Sequence, residues 1–165
     1  MKKVFIFLII GGILVSFLVA QGGKLPPKVL AVISAKIINY IENLPGKSIS
    51  VVYAEDDKTQ KNDVKSEIEK LGYSVNEFAE SDCANVTGDI VIIMSNVSPD
   101  ALKTLLGKNK LIISENQVHT EKGVASFSVV NVAGKPQIIA NIDHIKQTGL
   151  KVSGKLFRVV TKSND

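Results

Sequence analysis

The sequence is poor in the side chains on which most enzymes rely. Its 165 residues include one cysteine, two histidines and no tryptophan. With Cys83 alone, the chain cannot form an intramolecular disulfide, and we expect a half-buried apolar thiol, with an intermolecular bridge as the alternative. His119 and His144 belong to no ligand-spaced pair, and their polar neighbours predict that both imidazoles are exposed.

Short catalytic motifs are missing as well. The chain contains no G-x-S-x-G nucleophile elbow, no G-x-x-x-x-G-K-S/T phosphate loop, and no Rossmann glycine pattern after the strand-like run 51–54. Because catalytic groups need not be close in sequence, a hydrolytic or redox enzyme stays open as a third hypothesis. The main expectation is a protein that is not an enzyme, with no catalytic residues, no metal and no cofactor.

The charged residues do not form a nucleic-acid-binding pattern. The formal net charge is +4, and the most basic part of the chain is the segment 146–162. This segment has no dense basic stripe with interleaved aromatic residues, which nucleic-acid-binding domains usually show. The charges therefore predict a solvated surface, and no nucleic acid is expected as a partner.

The start of the chain has the pattern of an export signal. Two lysines precede 17 uncharged residues, from Val4 to Ala20. Small residues at positions 20 and 22 predict cleavage after Gly22, although an apolar run of this length also suits an uncleaved membrane anchor. Residues 1–22 are thus interpreted as a signal peptide or anchor. Residues 23–165 are expected to form one domain in the periplasm or elsewhere outside the cytoplasm.

Residues 23–165 alternate between helical and strand-like patterns. Apolar side chains at three- and four-residue spacing predict a first helix from Pro26 and Pro27 to about Asn43. Strands are predicted at 49–54, 75–79, 90–94 and 111–114, helices at 59–71 and 98–106, a hairpin with arms 124–132 and 136–140, and short helices at 142–148 and 154–160. The predicted fold is an α/β class, three-layer α/β/α sandwich with a mixed sheet, parallel core strands and an antiparallel C-terminal hairpin.

The stretch VVYAEDDK, residues 51–58, resembles the start of a phosphate-accepting receiver domain, where an apolar strand ends in a cluster of acids. A receiver also needs an acceptor aspartate at the end of its third strand, and Met94 and Ser95 stand there. The architecture is therefore expected without the phosphotransfer chemistry, because a fold does not by itself give a function.

The loops after the predicted strands carry oxygen-bearing side chains. In open α/β sheets, ligands bind in the crevice at the carboxyl ends of the strands. The candidate ligand-binding residues in these loops are Glu55, Asp56, Asp57, Ser95, Asn96, Ser114 and Glu115. Such loops suit a small ligand or a cation. A solvated acidic turn is the alternative, since carboxylates are mostly exposed.

The C-terminal stretch GKPQIIANIDHIKQTGLKVSGKLFRVV resembles the end of the YfiR-like family of small exported bacterial proteins. In that family a hairpin strand leads into the pattern G-K-x-x-F-E-I-N-L-x-x-A-x-x-A-G-L-x-I-S-S-K-L-L. The residues that match this pattern, or the family's upstream Ser-acid turn and Gly-x-x-x-Phe strand, are Ser114, Glu115, Gly123, Phe127, Gly134, Lys135, Asn141, Gly149, Leu150, Ser153, Lys155 and Leu156. Structural roles also account for most of them, with Asn141 and Ser153 expected to cap helices. The chain departs from the pattern at 138–140, where Ile-Ile-Ala replaces Phe-Glu-Ile.

The resemblance implies a regulatory protein that restrains a membrane-bound diguanylate cyclase through its external domain, and so couples envelope conditions to cyclic di-GMP. The implied partner is the periplasmic domain of a membrane signalling protein, either a diguanylate cyclase or a sensor kinase, and a homodimer is the other partner considered. The apolar residues of 29–44 would supply a docking face if one side of the helix is exposed. The second hypothesis is a small-ligand or cation-binding periplasmic protein that uses the crevice.

Overall fold

The computed structural model describes residues 23–44, 46, 48–106 and 110–162. The predicted signal peptide 1–22 lies outside these residues. The helices are α1 Pro27–Asn39, α2 Lys58–Lys70, α3 Pro99–Leu102, α4 Gln117–Glu121 and α5 Ile142–Gln147. The strands are β1 Ser48–Tyr53, β2 Ser74–Ala79, β3 Ile90–Ile93, β4 Leu111–Ser114, β5 Phe127–Val132, β6 Lys135–Ala140 and β7 Val160–Lys162. Short 3-10 helices occupy Glu55–Asp57, Glu80–Asn85, Lys103–Leu105 and Leu156–Arg158.

The described strands form one mixed sheet in the order β2-β1-β3-β4-β5-β6-β7. The strands from β2 to β5 pair in parallel, β5 and β6 pair antiparallel, and β6 and β7 pair in parallel. Strand β3 lies in the middle of the parallel group, and all four of its residues are buried. A continuous apolar run of this kind is typical of a strand with both faces covered. The predicted α/β fold is confirmed.

Helices cover both faces of the sheet. Strand β2 lies beside β1 in one direction and β4 lies beside β3 in the other, so right-handed crossovers put α2 and α3 on opposite faces. Helix α1 packs against α2, and the 3-10 helix Glu80–Asn85 packs against α3. Cys83, in that 3-10 helix, is buried rather than half-buried.

Helix α1 ends four residues earlier than its apolar periodicity predicts. Ile41 leaves the helix to form an isolated antiparallel bridge with Val152. The backbone nitrogen of Glu42 donates to the Lys151 carbonyl at 2.8 Å. Tertiary pairing with a segment more than a hundred residues away therefore overrides the helical pattern.

The C-terminal hairpin has a tighter turn than predicted. Lys135 pairs with Val132, which leaves Ala133 and Gly134 as a two-residue turn with φ of 50° and 81°. Positive φ at both positions is the type I′ geometry that suits the twist of a hairpin, and glycine adopts it without steric cost. The first arm begins at Phe127 rather than at residue 124.

The prediction of a last helix at 154–160 is wrong. Only Leu156–Arg158 is helical, as a 3-10 turn without a side-chain cap, so Ser153 does not cap it. Strand β7 follows and pairs with β6. The Asn141 prediction is confirmed, because its Oδ1 accepts from the His144 backbone nitrogen at 2.8 Å at the start of α5.

Candidate functional site

A cavity of about 530 Å³ lies at the carboxyl ends of β3, β4 and β5, and we call it the crevice cavity. Sheet topology favours a ligand site at this edge. Ser95, Asn96 and Glu115 of the predicted site residues line it together. The full lining consists of Gly23, Lys24, Leu25, Ser95, Asn96, Glu115, Asn116, Gln117, Val130, Asn131 and Val132.

Asp57 is completely buried and is satisfied on both carboxylate oxygens. Its Oδ1 accepts from Lys24 Nζ at 2.9 Å, from Asn96 Nδ2 at 2.7 Å and from Ser95 Oγ at 3.4 Å. Its Oδ2 accepts from the backbone nitrogens of Asn96 at 3.1 Å and of Ala54 at 3.4 Å. With this many donors, Asp57 joins the loops after β1 and β3 to the N-terminal segment. This is the arrangement of a structural carboxylate.

Glu115 follows β4 directly and is only 7% exposed. Its Oε1 accepts from the backbone nitrogen of Leu25 at 3.2 Å and from Gln60 Nε2 at 2.9 Å. Its Oε2 is buried, and no donor among the described residues reaches it. The carboxylate is therefore satisfied on one oxygen only.

The surroundings of Glu115 also change the pKa of its carboxyl group. Burial raises the pKa of the Glu115 carboxyl above its usual range, and nearby Asp57 raises it slightly further. The hydrogen bonds from Gln60 and Leu25, and the charge of Lys24, offset only part of this rise in pKa. The ionised form of Glu115 is thus destabilised, and an additional donor or positive charge would favour it.

Asn131 provides a second acceptor without a donor in the same cavity. It follows Phe127 and Val129 in the two-residue alternation of β5, on the side where those residues are buried. Its Oδ1 is buried, and no described residue donates to it. Glu115 and Asn131 thus both line the crevice cavity, and each has a buried acceptor oxygen without a donor among the described residues.

A hydrogen-bond network fixes the loop that carries Glu115. The Ser114 hydroxyl accepts from the Asn116 backbone nitrogen at 2.9 Å and lies 2.6 Å from His119 Nδ1. His119 Nε2 lies 2.8 Å from the carbonyl oxygen of Val97. Because a carbonyl can only accept, Nε2 carries the proton and Nδ1 accepts from Ser114. Ser114 therefore serves the loop itself and does not line the cavity.

Two of the predicted acids do not join the site. Glu55 and Asp56 are exposed, and Glu55 forms an ion pair with Lys58 at 2.6 Å. The alternative of a solvated acidic turn describes these two residues, whereas it is wrong for Asp57. The acidic triplet is thus split between solvent and the interior.

The predicted exposure of both histidines is wrong. His119 and His144 are buried, and His144 Nδ1 lies 3.1 Å from the hydroxyl of Ser126. Burial lowers the pKa of both imidazoles below the ordinary value. Both side chains are therefore structural, each paired with a serine of the β-sheet region.

Lys24, Gln60 and Asn131 take part in the site, although none of them is among the predicted site residues. Asn131 had a readable signal, because a polar residue stands on the buried side of an otherwise apolar strand. Lys24 and Gln60 had none, since both reach the site through long-range contacts. Among the described residues, no cluster of three or more His, Cys, Asp or Glu side chains suits a metal ion. No helix in the described ranges is long and apolar enough to span a bilayer.

No protein-family model matches this chain, and no curated protein does. Solved structures are similar in fold. The ABC domain in complex with L-Trp from Streptococcus pneumonia matches with 16% identity and a TM-score of 0.64, over 83% of this chain and 61% of that one. A conserved domain protein from Vibrio cholerae O1 biovar El Tor matches with 15% identity and a TM-score of 0.66, over 83% and 60%.

A third similar structure is the ligand-free, open form of a substrate binding protein with adhesive properties from Clostridium difficile. It matches with 16% identity and a TM-score of 0.58, over 73% of this chain and 55% of that one. The chain thus spans less than two thirds of the length of each of these structures. At such low identity the likenesses show a shared α/β fold. The resemblance to the YfiR-like family stays a prediction.

Proposed function

We propose that this protein binds a small polar ligand in the crevice cavity. The observation that carries the proposal is the Glu115 carboxylate, which is buried in the cavity wall with one oxygen unsatisfied. A buried polar atom without a partner costs free energy, so native proteins rarely keep one without a reason. A ligand that supplies the missing donor is such a reason.

The size and place of the cavity support the proposal. Small-molecule sites usually measure roughly 300–1,000 Å³, and the crevice cavity has about 530 Å³. It lies at the carboxyl edge of the parallel strands, where open α/β sheets usually bind ligands. Its wall combines Val130 and Val132 with several amide side chains, a mixture that gives both contact area and specific hydrogen bonds.

The similar structures add support from outside the chain. One of them is in complex with L-Trp, and another is a substrate binding protein. The low identity means that L-Trp does not carry over to this chain as its ligand. Together with the predicted export signal, these likenesses favour a ligand-binding protein located outside the cytoplasm.

Equilibrium dialysis of the full-length protein against a mixture of small metabolites tests this function. We expect the wild type to retain at least one compound, and Val132→Trp to lose it, because an indole at the half-buried position 132 fills the cavity. Val159→Trp is the control, since Val159 is exposed and lies outside the crevice cavity. Equal retention by wild type and Val132→Trp, or no retention at all, would reject the proposal.

A second observation favours docking to a protein partner. An apolar groove of about 560 Å³ runs between α1, β6 and the C-terminal 3-10 turn, and Ile33, Tyr40, Ile138, Leu156 and Val159 line it. Val159 is 65% exposed there. We propose, second, that the chain engages a membrane signalling protein through this groove. The resemblance to the YfiR-like family implies that class of partner.

Capture from native envelopes separates the two functions. A tagged full-length chain should recover a diguanylate cyclase or sensor kinase, identified by mass spectrometry. Val159→Asp should abolish that capture because it puts a charge into the apolar groove, while Val132→Trp should leave it intact. Recovery of no such partner, or unchanged recovery with Val159→Asp, would reject the docking function and leave ligand binding unaffected.

A further inference from the structure

Two residues that line the crevice cavity have acceptor oxygens that receive no hydrogen bond from the described part of the chain. Glu115 Oε2 and Asn131 Oδ1 are both buried, and no described residue donates to either. Glu115 is held firmly in place, because its other oxygen accepts from Leu25 and Gln60. The Glu115 acceptor therefore belongs to a wall that hydrogen bonds hold in place.

Four of the side-chain nitrogens around the cavity donate one hydrogen each to other residues of the protein. Lys24 Nζ pairs with Asp57 at 2.9 Å. The amide donors lie at 2.7 Å from Asp57 for Asn96, at 2.9 Å from the Ser95 carbonyl for Asn116, and at 2.6 Å from Glu121 for Gln117. Each of these four nitrogens thus has an acceptor for one of its hydrogens, whereas Glu115 Oε2 and Asn131 Oδ1 have no donor among the described residues.

The charged groups at the cavity also favour a ligand that donates hydrogen bonds. The described charged groups at this site are Lys24, Asp57 and Glu115, and the lysine is paired with the aspartate. This leaves the Glu115 carboxylate without a cation of its own. A buried carboxylate gains most from a partner that brings a positive charge together with hydrogen-bond donors.

We infer that the ligand carries an ammonium group, which donates to Glu115 Oε2 and Asn131 Oδ1 and neutralises the carboxylate. This inference rests on the proposed function and narrows it to small amines. An ammonium group has three donors and no acceptor, so it can donate to both acceptor oxygens. A metal ion fits less well, because no described cluster of three or more His, Cys, Asp or Glu side chains is present to hold it.

The pH dependence of amine binding distinguishes a role of the Glu115 charge from a role of Glu115 in packing alone. Burial raises the pKa of Glu115, and an ammonium ligand favours the ionised carboxylate. Amine binding should therefore weaken as the pH falls and Glu115 takes up a proton. Glu115→Gln should remove this pH dependence along with most of the affinity.

Saturation-transfer NMR on the full-length protein tests the inference with three probes of matched shape: n-butylamine, n-butanol and butyrate. We expect the wild type to bind the amine alone, since the alcohol and the acid leave the Glu115 charge unmet. Glu115→Gln should weaken amine binding by about tenfold or more, because a charged hydrogen bond is lost. Glu69→Gln is the charge-matched control, since Glu69 is exposed on α2 and outside the cavity.

The outcomes separate this inference from the proposed function. Binding of butanol or butyrate as strong as that of the amine, no amine signal with the wild type, or undiminished amine binding by Glu115→Gln overturns the inference. The probe comparison on the wild type decides the matter even if Glu115→Gln does not fold. Metabolites retained by the wild type and lost by Val132→Trp, none of them an amine, would leave the proposed function standing while the ammonium inference fails.

Discussion

Two carboxylates at the carboxyl edge of the sheet are buried in different ways. Asp57, after β1, has donors on both oxygens, whereas Glu115, after β4, has donors on one. The first arrangement holds loops together, and the second leaves an acceptor oxygen unused in a cavity wall. Burial of an acid therefore does not by itself mark a binding site. The oxygen without a donor among the described residues distinguishes Glu115 from Asp57.

The largest effect on stability is expected at Asp57. Asp57→Asn removes a buried charge that pairs with Lys24 and sets an amide group against donors such as the Asn96 backbone nitrogen. We expect the free energy of unfolding to fall by about 3 kcal/mol. Urea denaturation measures it, and Asp56→Asn, at an exposed position, should change it by less than about 0.5 kcal/mol. A loss no larger than that of the control would show that Asp57 is not the structural acid.

Removal of the Gln60 side chain should lower stability, because Gln60 donates to the Glu115 oxygen that has partners. Gln60→Ala deletes the donor to Glu115 Oε1 at 2.9 Å and to the Leu25 carbonyl at 3.3 Å. We expect a stability loss of about 1–2 kcal/mol and a further rise in the pKa of Glu115, because this hydrogen bond lowers it. Urea denaturation and an NMR titration of the carboxyl check both effects. The exposed Gln147→Ala should change neither, and an unchanged Glu115 pKa in Gln60→Ala would argue against the account.

Lys24 should matter less to stability than the acid it pairs with. Its side chain is 44% exposed, so the ion pair with Asp57 is screened by solvent. Lys24→Met should cost about 1 kcal/mol or less, because Asp57 keeps its donors from Ser95, Asn96 and Ala54. Thermal or urea unfolding, with the exposed Lys28→Met as control, measures it. A loss as large as that of Asp57→Asn would mean that the other donors do not hold the aspartate.

The smallest expected effect is a pH-dependent difference in stability between wild type and Glu115→Gln. A carboxyl with a raised folded pKa stabilises the fold at low pH, and that contribution is lost as pH rises through the folded pKa. Glu115→Gln should therefore gain stability relative to the wild type as pH rises above the ordinary carboxyl value of 4.5. Urea denaturation at a series of pH values measures this difference. A difference that stays constant or runs the other way would contradict the raised pKa.

The buried histidines do not confuse this measurement. Their pKa values are lowered in the folded state, so they contribute stability above the ordinary 6.5 that is lost as the pH falls below it. Both proteins contain His119 and His144, and the contribution cancels in the difference. Each protein alone should lose stability as the pH falls from neutral through this range.

Local patterns in the sequence predict most of the fold. The four parallel strands from β1 to β4 and the C-terminal hairpin were predicted because apolar β-branched runs and turn residues act locally. Errors arose where distant segments decide the structure. Helix α1 stops for a bridge to Val152, and β7 forms because β6 offers it an edge. Neither pairing has a signal within its own stretch of sequence.

The sequence predicts where part of the cavity lining lies, but not its details. The carboxyl-end rule located Ser95, Asn96 and Glu115 at one cavity. The rule could not divide the triplet 55–57, because burial of Asp57 depends on donors from Lys24 and Asn96, far apart in the chain. Nor could sequence patterns reveal that one oxygen of Glu115 has no donor. That property belongs to the assembled fold.

The most direct measurement follows the side-chain carboxyl carbons of Asp57 and Glu115 by carbon-detected NMR while n-butylamine is added to the full-length protein. We expect the Glu115 signal to move toward its ionised position and the Asp57 signal to stay where it is. Movement of Asp57 with Glu115 unchanged, or no movement of either signal, would contradict the assignment of Glu115 as the ligand-binding acid.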